Sequence, residues 1–160
     1  MRQLLIALML TLGLCVPADA AALLNVTVTN AVALTPAQVF QLRSGPGVAG
    51  LNIQLQGTFT YGSGGTSADA YVQTSLDGGT TWIDVANFHF LLASARFTYN
   101  LSSLTPVTTE YTPTDGSIAA NTAKDGVIGN LLRVKWVTVG TYAGGTVLRV
   151  DAIGTGITLQ

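Results

Sequence analysis

The sequence predicts an all-β chain folded as a single antiparallel β-sandwich or jelly-roll-like domain, on three observations. From Leu23 onward apolar residues recur with period two, not 3.6. Glycine-rich turn sequences separate the alternating runs. No window carries a sustained helical stripe. With 160 residues there is room for one domain, and enough chain to bury a core without disulfides or a structural metal. The predicted organisation is a leading segment over residues 1–20 and a β domain over 21–160.

Taken in order, Arg2, the apolar run from Leu4 to Val16, and Pro17-Ala18-Asp19-Ala20 make the charged start, short apolar core and Ala-x-Ala ending of an export signal. Cleavage is expected after Ala20; the alternative is an N-terminal arm kept in the mature protein. The run falls short of the ~20 apolar residues that cross a bilayer, so stable membrane insertion is not expected. Asn25 to Thr29 then forms a first strand with Val26 and Val28 turned inward. The clearest strand runs from Leu51 to Tyr61. Leu51, Ile53, Leu55, Phe59 and Tyr61 share one face with Gly57, while Asn52, Gln54, Gln56, Thr58 and Thr60 fill the other. That is the pattern of a half-buried antiparallel strand. Ala70-Val72-Thr74-Leu76, Phe97-Tyr99-Leu101, Leu132-Val134-Trp136 and Leu148-Val150-Ala152 repeat it.

Turns are expected at Ser44-Gly45-Pro46-Gly47, Gly62-Ser63-Gly64-Gly65, Asp77-Gly78-Gly79, Asp115-Gly116, Asp125-Gly126 and Ala143-Gly144-Gly145. Thr60-Tyr61-Gly62-Ser63-Gly64-Gly65-Thr66 echoes Thr141-Tyr142-Ala143-Gly144-Gly145-Thr146, as two hairpins of one design would.

Charge narrows the function classes. Asp, Glu, Lys and Arg make up 9% of the chain, against ~25% in an ordinary soluble domain. Such a surface fits a protein partly covered by neighbours, and a homo-oligomer is expected. The net charge is −1 with no basic run, so no nucleic-acid partner is expected. The single cysteine, Cys15, lies in the leading segment, which leaves the domain without a thiol nucleophile or disulfides.

Among candidate sites, Ser75-Leu76-Asp77-Gly78-Gly79-Thr80-Thr81-Trp82 resembles the Asp-box, the S-x-D-x-G-x-T-W hairpin of sialidases and many other β proteins. Ser75 and Asp77 can accept bonds from turn N–H groups, Gly78 and Gly79 permit the reversal, and Trp82 can pack over it. The expectation is a structural hairpin. His89, the sole histidine, sits between Phe88 and Phe90 and is expected in an aromatic loop packed on the sandwich. No G-x-S-x-G elbow accompanies it. The acids Asp69, Asp77, Asp84, Glu110, Asp115, Asp125 and Asp151 mostly flank turns, and Asp115 with Asp125 is the pairing weighed for calcium. Gly62 to Thr66 lacks the Gly-Lys-Ser/Thr ending of a phosphate loop. Arg133 and Lys135 on one strand, Arg149 and Asp151 on the next, are expected to face each other across a final hairpin as a charged ladder, a candidate subunit contact. Trp82, Trp136, Tyr61 and Tyr142 are candidate sugar platforms, Trp136 being placed on the core face. No catalytic set, metal site or cofactor is expected.

Val26-Thr27-Val28-Thr29-Asn30-Ala31-Val32, Phe59 to Thr66, Tyr71 to Trp82 and Gly140 to Thr146 together resemble a family of small phage and prophage structural proteins, over most of residues 23–153. The resemblance implies a virion part: a capsid decoration or cement protein, or a tail or neck accessory, with capsid or tail subunits as partners. The export-like start departs from that pattern and supports the alternative, a secreted or periplasmic carbohydrate-binding or adhesion module.

Overall fold

A computed structural model describes residues 20–44, 50–154 and 157–159. The expected signal over 1–20, apart from Ala20, and most of the Ser44–Gly47 turn lie outside the described residues, as does Cys15. The chain forms β1 (Ala21–Thr27), β2 (Val32–Ser44), β3 (Asn52–Thr60), β4 (Ser63–Gly64), β5 (Ser67–Ser75), β6 (Ile83–Phe90), β7 (Ala95–Ser102), β8 (Leu131–Val139), β9 (Tyr142–Ala143), β10 (Val147–Gly154) and β11 (Ile157–Leu159). Two antiparallel sheets carry the fold, one ordered β1-β10-β3-β7 and the other β11-β2-β8-β5-β6. Period-two alternation explains the layering. Ile53, Leu55 and Phe59 of β3 and Leu148, Val150 and Ala152 of β10 face Ala68, Ala70 and Val72 of β5 and Leu132 and Val134 of β8 across one core.

Gly57 shows how the two layers fit. A Cβ there would lie 2.5 Å from Cγ of Phe88, so the missing side chain is the seat of that ring. Phe88 also packs on Tyr99 with centroids 5.0 Å apart, and Phe59 stacks on Phe90 at 5.4 Å. The glycine inside an otherwise regular alternation is thus a packing partner for an aromatic ring from the opposite sheet.

Two of the long strands, β2 and β6, were not legible as alternating runs. β2 contains Pro36 and pairs with β8 through two register shifts, between Val32 and Thr35 and between Pro36 and Val39, which break its periodicity. β6 is buried on both faces apart from His89, which erases the alternation. Its second cover is the β7–β8 connection, residues 103–130, which runs along β6 as a strap. The strap meets the β6 backbone through Asp84 N–H to Thr114 O at 2.9 Å, Asn87 N–H to Thr122 O at 2.8 Å, and Lys124 N–H to Val85 O at 2.8 Å.

The two echoing glycine-rich stretches are not hairpins. The first joins β3 to β5 and the second joins β8 to β10, so each crosses from one sheet to the other. They also pair with each other, Ser63 with Ala143 and Gly64 with Tyr142. Gly65 N–H donates to Thr141 O at 2.7 Å. At Gly65, φ is +69° and a Cβ would fall 2.1 Å from the Tyr142 ring, so both backbone and space demand glycine. The echo reflects two strands of one small ribbon that ties the sheets at one end.

Candidate functional site

Polar side chains gather in three places: the β5–β6 hairpin, the outer face of the five-stranded sheet beneath the strap, and the outer face of the four-stranded sheet.

The hairpin is held by bonds no longer than four residues in sequence. Ser75 Oγ accepts from Gly79 N–H at 2.8 Å and its hydroxyl donates to Asp77 Oδ1 at 2.9 Å. Asp77 accepts from Thr81 N–H at 2.8 Å and from the Thr81 hydroxyl at 2.7 Å, and these two bonds hold its carboxyl below the usual range. Gly78 and Gly79 have φ of +71° and +93°. Trp82 Nε1–H closes the turn on Gly79 O at 3.0 Å, and the Arg133 guanidinium lies 4.0 Å over the indole. Ser75, Asp77 and Trp82 thus bond within the turn that Gly78 and Gly79 shape.

Beneath the strap, β5, β6 and β8 place Gln73, Asp84 and Arg133 together. Asp84 is fully buried. Its carboxyl accepts from Gln73 Nε2 at 2.7 Å and from three successive strap amides: Gly116 at 2.8 Å, Ser117 at 2.9 Å and Ile118 at 3.2 Å. The Tyr111 hydroxyl donates to the Asp84 carbonyl. Gln73 Nε2 also donates to Asp115 Oδ1 at 2.7 Å, and its Oε1 accepts from Arg133 Nε at 2.8 Å. Lys135 Nζ donates to Asp115 at 2.7 Å, with Arg133 3.5 Å away. The Lys135 bond leads the effects that hold the Asp115 carboxyl below the usual range. Burial lowers Arg133 against the pull of Asp115 and Asp84.

Further along β6, His89 Nδ1 lies 2.8 Å from Asp69, and Asn87 Nδ2 bonds Asp69 at 3.4 Å and Ile118 O at 3.3 Å. His89 is on a strand, not in the aromatic loop expected of it; Phe88 and Phe90 turn into the core while it faces outward. The pair has a base and an orienting carboxyl, but among the described residues no hydroxyl bonds the ring.

The charged ladder expected of Arg133, Lys135, Arg149 and Asp151 does not form. β8 and β10 belong to different sheets, so the first two meet the strap through Asp115 while Arg149 Nε bonds Asp151 of its own strand at 2.7 Å. Nor do Asp115 and Asp125 come together around a cation. Asp125 instead caps the end of β7, accepting from Ser102 N–H and, at 2.6 Å, from the Thr105 hydroxyl. Burial works against its ionisation, but these bonds and the Gly126 N–H outweigh it and lower its pKa.

The third place is the outer face of β10, β3 and β7. Gln54 stands beside Asn100, Gln56 beside Thr98 and Asp151, and Thr58 beside Arg96 and Arg149. Gln54, Gln56, Thr98, Asn100, Arg149 and Asp151 floor an open groove of 560 Å³, to which Ala20 and Ile153 add apolar wall. Of the candidate sugar platforms none lines it. Tyr142 is buried, Trp136 is partly buried against the core as expected, Trp82 sits at the hairpin and Tyr61 packs near Phe59.

Sequence reasoning singled out the hairpin but passed over the strap cluster. One signal was present: Asp84 lies between Ile83 and Val85 with no glycine beside it, so turn chemistry did not account for it. Among the described residues no helix is long and apolar enough to cross a membrane, and no cluster of three metal-ligating side chains occurs. Comparison with protein-family models, curated proteins and solved structures finds no match.

Proposed function

We propose that this chain is a non-enzymatic structural subunit of a bacteriophage particle, a decoration or cement protein of the capsid or an accessory of the tail or neck. The observation that carries the reading is the four-stranded sheet. It shows solvent a face of amides and hydroxyls set around Arg96, Arg149 and Asp151, bounded by β1 and β7 as lateral strands. Such edges offer backbone groups to neighbouring subunits. The resemblance of the strand and turn sequences to small phage proteins and the 9% charge content support it. The hairpin resembling an Asp-box then serves to stiffen the β5–β6 connection. Electron microscopy with an antibody raised against the purified chain tests the reading on particles released by the encoding cells. Regular labelling of heads or tails is expected; unlabelled particles overturn it.

A second reading, a secreted carbohydrate-binding module, draws on the groove over Gln54, Gln56, Thr98 and Asn100. Amides present a donor beside an acceptor and suit vicinal hydroxyls. A glycan array distinguishes it: binding weakened by Gln56→Ala favours the module, and an array without hits removes it.

A further inference from the structure

The lateral strands of the two sheets are not treated alike. β6 has its outer backbone bonded by the strap. β2 is broken by two bulges and Pro36 and takes β11 along its end. β1 is bulged between Ala22 and Leu24. Such devices discourage edge pairing. β7 has none of them. It pairs with β3 residue for residue, from Ala95 with Phe59 to Ser102 with Asn52, without a register shift. Among the described residues no strand lies on its other side.

The bonds at its end show which backbone groups face outward. Ser103 N–H donates to Leu51 O at 2.8 Å, so by antiparallel alternation Leu101, Tyr99 and Phe97 exchange bonds with β3. Arg96, Thr98, Asn100 and Ser102 therefore aim N–H and C=O away from the sheet. The bond from Ser102 N–H to Asp125, off the β3 ladder, agrees with this and closes that end. Exposed apolar side chains collect at the same strand: Phe97 on it, Leu91 and Leu92 in the turn before, Leu104 just after.

We propose that β7 is a self-association edge, on which a second copy of this chain lays its own β7 antiparallel across a twofold axis at Thr98, fusing two four-stranded sheets into one. In this register Thr98 meets Thr98 of the second copy and Arg96 meets its Asn100, so the outward N–H groups of all three find carbonyls. On the inner face Phe97 meets Tyr99 of the second copy, an aromatic cross-strand pair. Neighbouring registers are worse. A shift towards the start of the strand leaves Asn100 without a strand partner and, one step further, sets Arg96 against its own copy. A shift towards its end requires the Ser102 N–H that Asp125 holds. The inference does not depend on the particle reading, since self-pairing in solution and presence on particles are measured separately.

Disulfide trapping tests it, on the full chain with Cys15→Ser. A hydrogen-bonded antiparallel pair has Cα atoms about 5.5 Å apart, within the span of a disulfide. Thr98→Cys should therefore give a covalent dimer as the main species after mild oxidation. Arg96→Cys should stay monomeric, and Arg96→Cys combined with Asn100→Cys should cross-link again. Failure of Thr98→Cys to cross-link, or equal cross-linking by Arg96→Cys, overturns the register. In sedimentation the unaltered chain should dimerise and Thr98→Pro should not. The proline removes only an outward N–H and leaves the β3 ladder intact. An unaltered chain that sediments as a monomer throughout the accessible concentrations overturns the proposal.

Discussion

Replacing Asp84 by alanine removes the clasp between the strap and the five-stranded sheet. The side chain is fully buried and receives Gln73 Nε2 and the amides of Gly116, Ser117 and Ile118 at 2.7–3.2 Å. Each buried donor left without a partner costs about 1–3 kcal/mol. Four such donors do not add in full, because Gln73 keeps Asp115 and the strap amides can turn towards water. A loss of about 3–5 kcal/mol is therefore expected from the four donors together. At about 2–4 °C per kcal/mol for a chain of this length, the melting temperature should fall by about 6–20 °C. Urea denaturation of Asp84→Ala and the parent gives the energy, and amide hydrogen exchange gives the location. Protection at Gly116, Ser117 and Ile118 should collapse while the β3 and β10 amides keep theirs under native conditions. A loss below about 1 kcal/mol with unchanged protection in the strap would refute the reasoning.

Gly57→Ala should cost about 1–3 kcal/mol by overpacking against Phe88, read as a lower urea midpoint with an unchanged slope. Ser75→Ala leaves the half-buried Gly79 N–H without its acceptor and should cost about 1 kcal/mol, with greater solvent exposure in Trp82 fluorescence as the turn loosens. Asp77, Asp115 and Asp125 are all held below the ordinary carboxyl range, Asp77 and Asp115 chiefly by hydrogen bonds and Asp125 by bonds that outweigh burial. Their unfolded forms therefore take up protons first, so stability is in full above about pH 4 and declines as pH drops through the lower folded values. A urea midpoint that rises on acidification below about pH 4 would contradict the sign.

Interactions close in sequence were legible and distant ones were not. The Ser75–Trp82 hairpin could be read because its bonds join residues four apart or fewer. The strands at Leu51–Tyr61 and Leu148–Ala152 could be read because one face is buried and the other wet. β6 could not, since the strap that buries its outer face is supplied by residues 103–130 and hides the alternation. Sheet membership was equally hidden. The Gly140–Thr146 stretch has the turn chemistry of a hairpin, yet it carries the chain from β8 in one sheet to β10 in the other. That crossing is why Arg133 and Lys135 meet Asp115 rather than Arg149 and Asp151.

The central claim, a subunit of a phage particle, is tested most directly by quantitative peptide mass spectrometry on purified particles and on the particle-free supernatant. The account predicts abundant peptides from residues 23–160 in the particles, at a fixed ratio to the major capsid or tail subunit, with the N-terminal peptide showing whether residues 1–20 are kept. Their absence from particles, with a supernatant species beginning at Ala21, would contradict it and leave the secreted binding module.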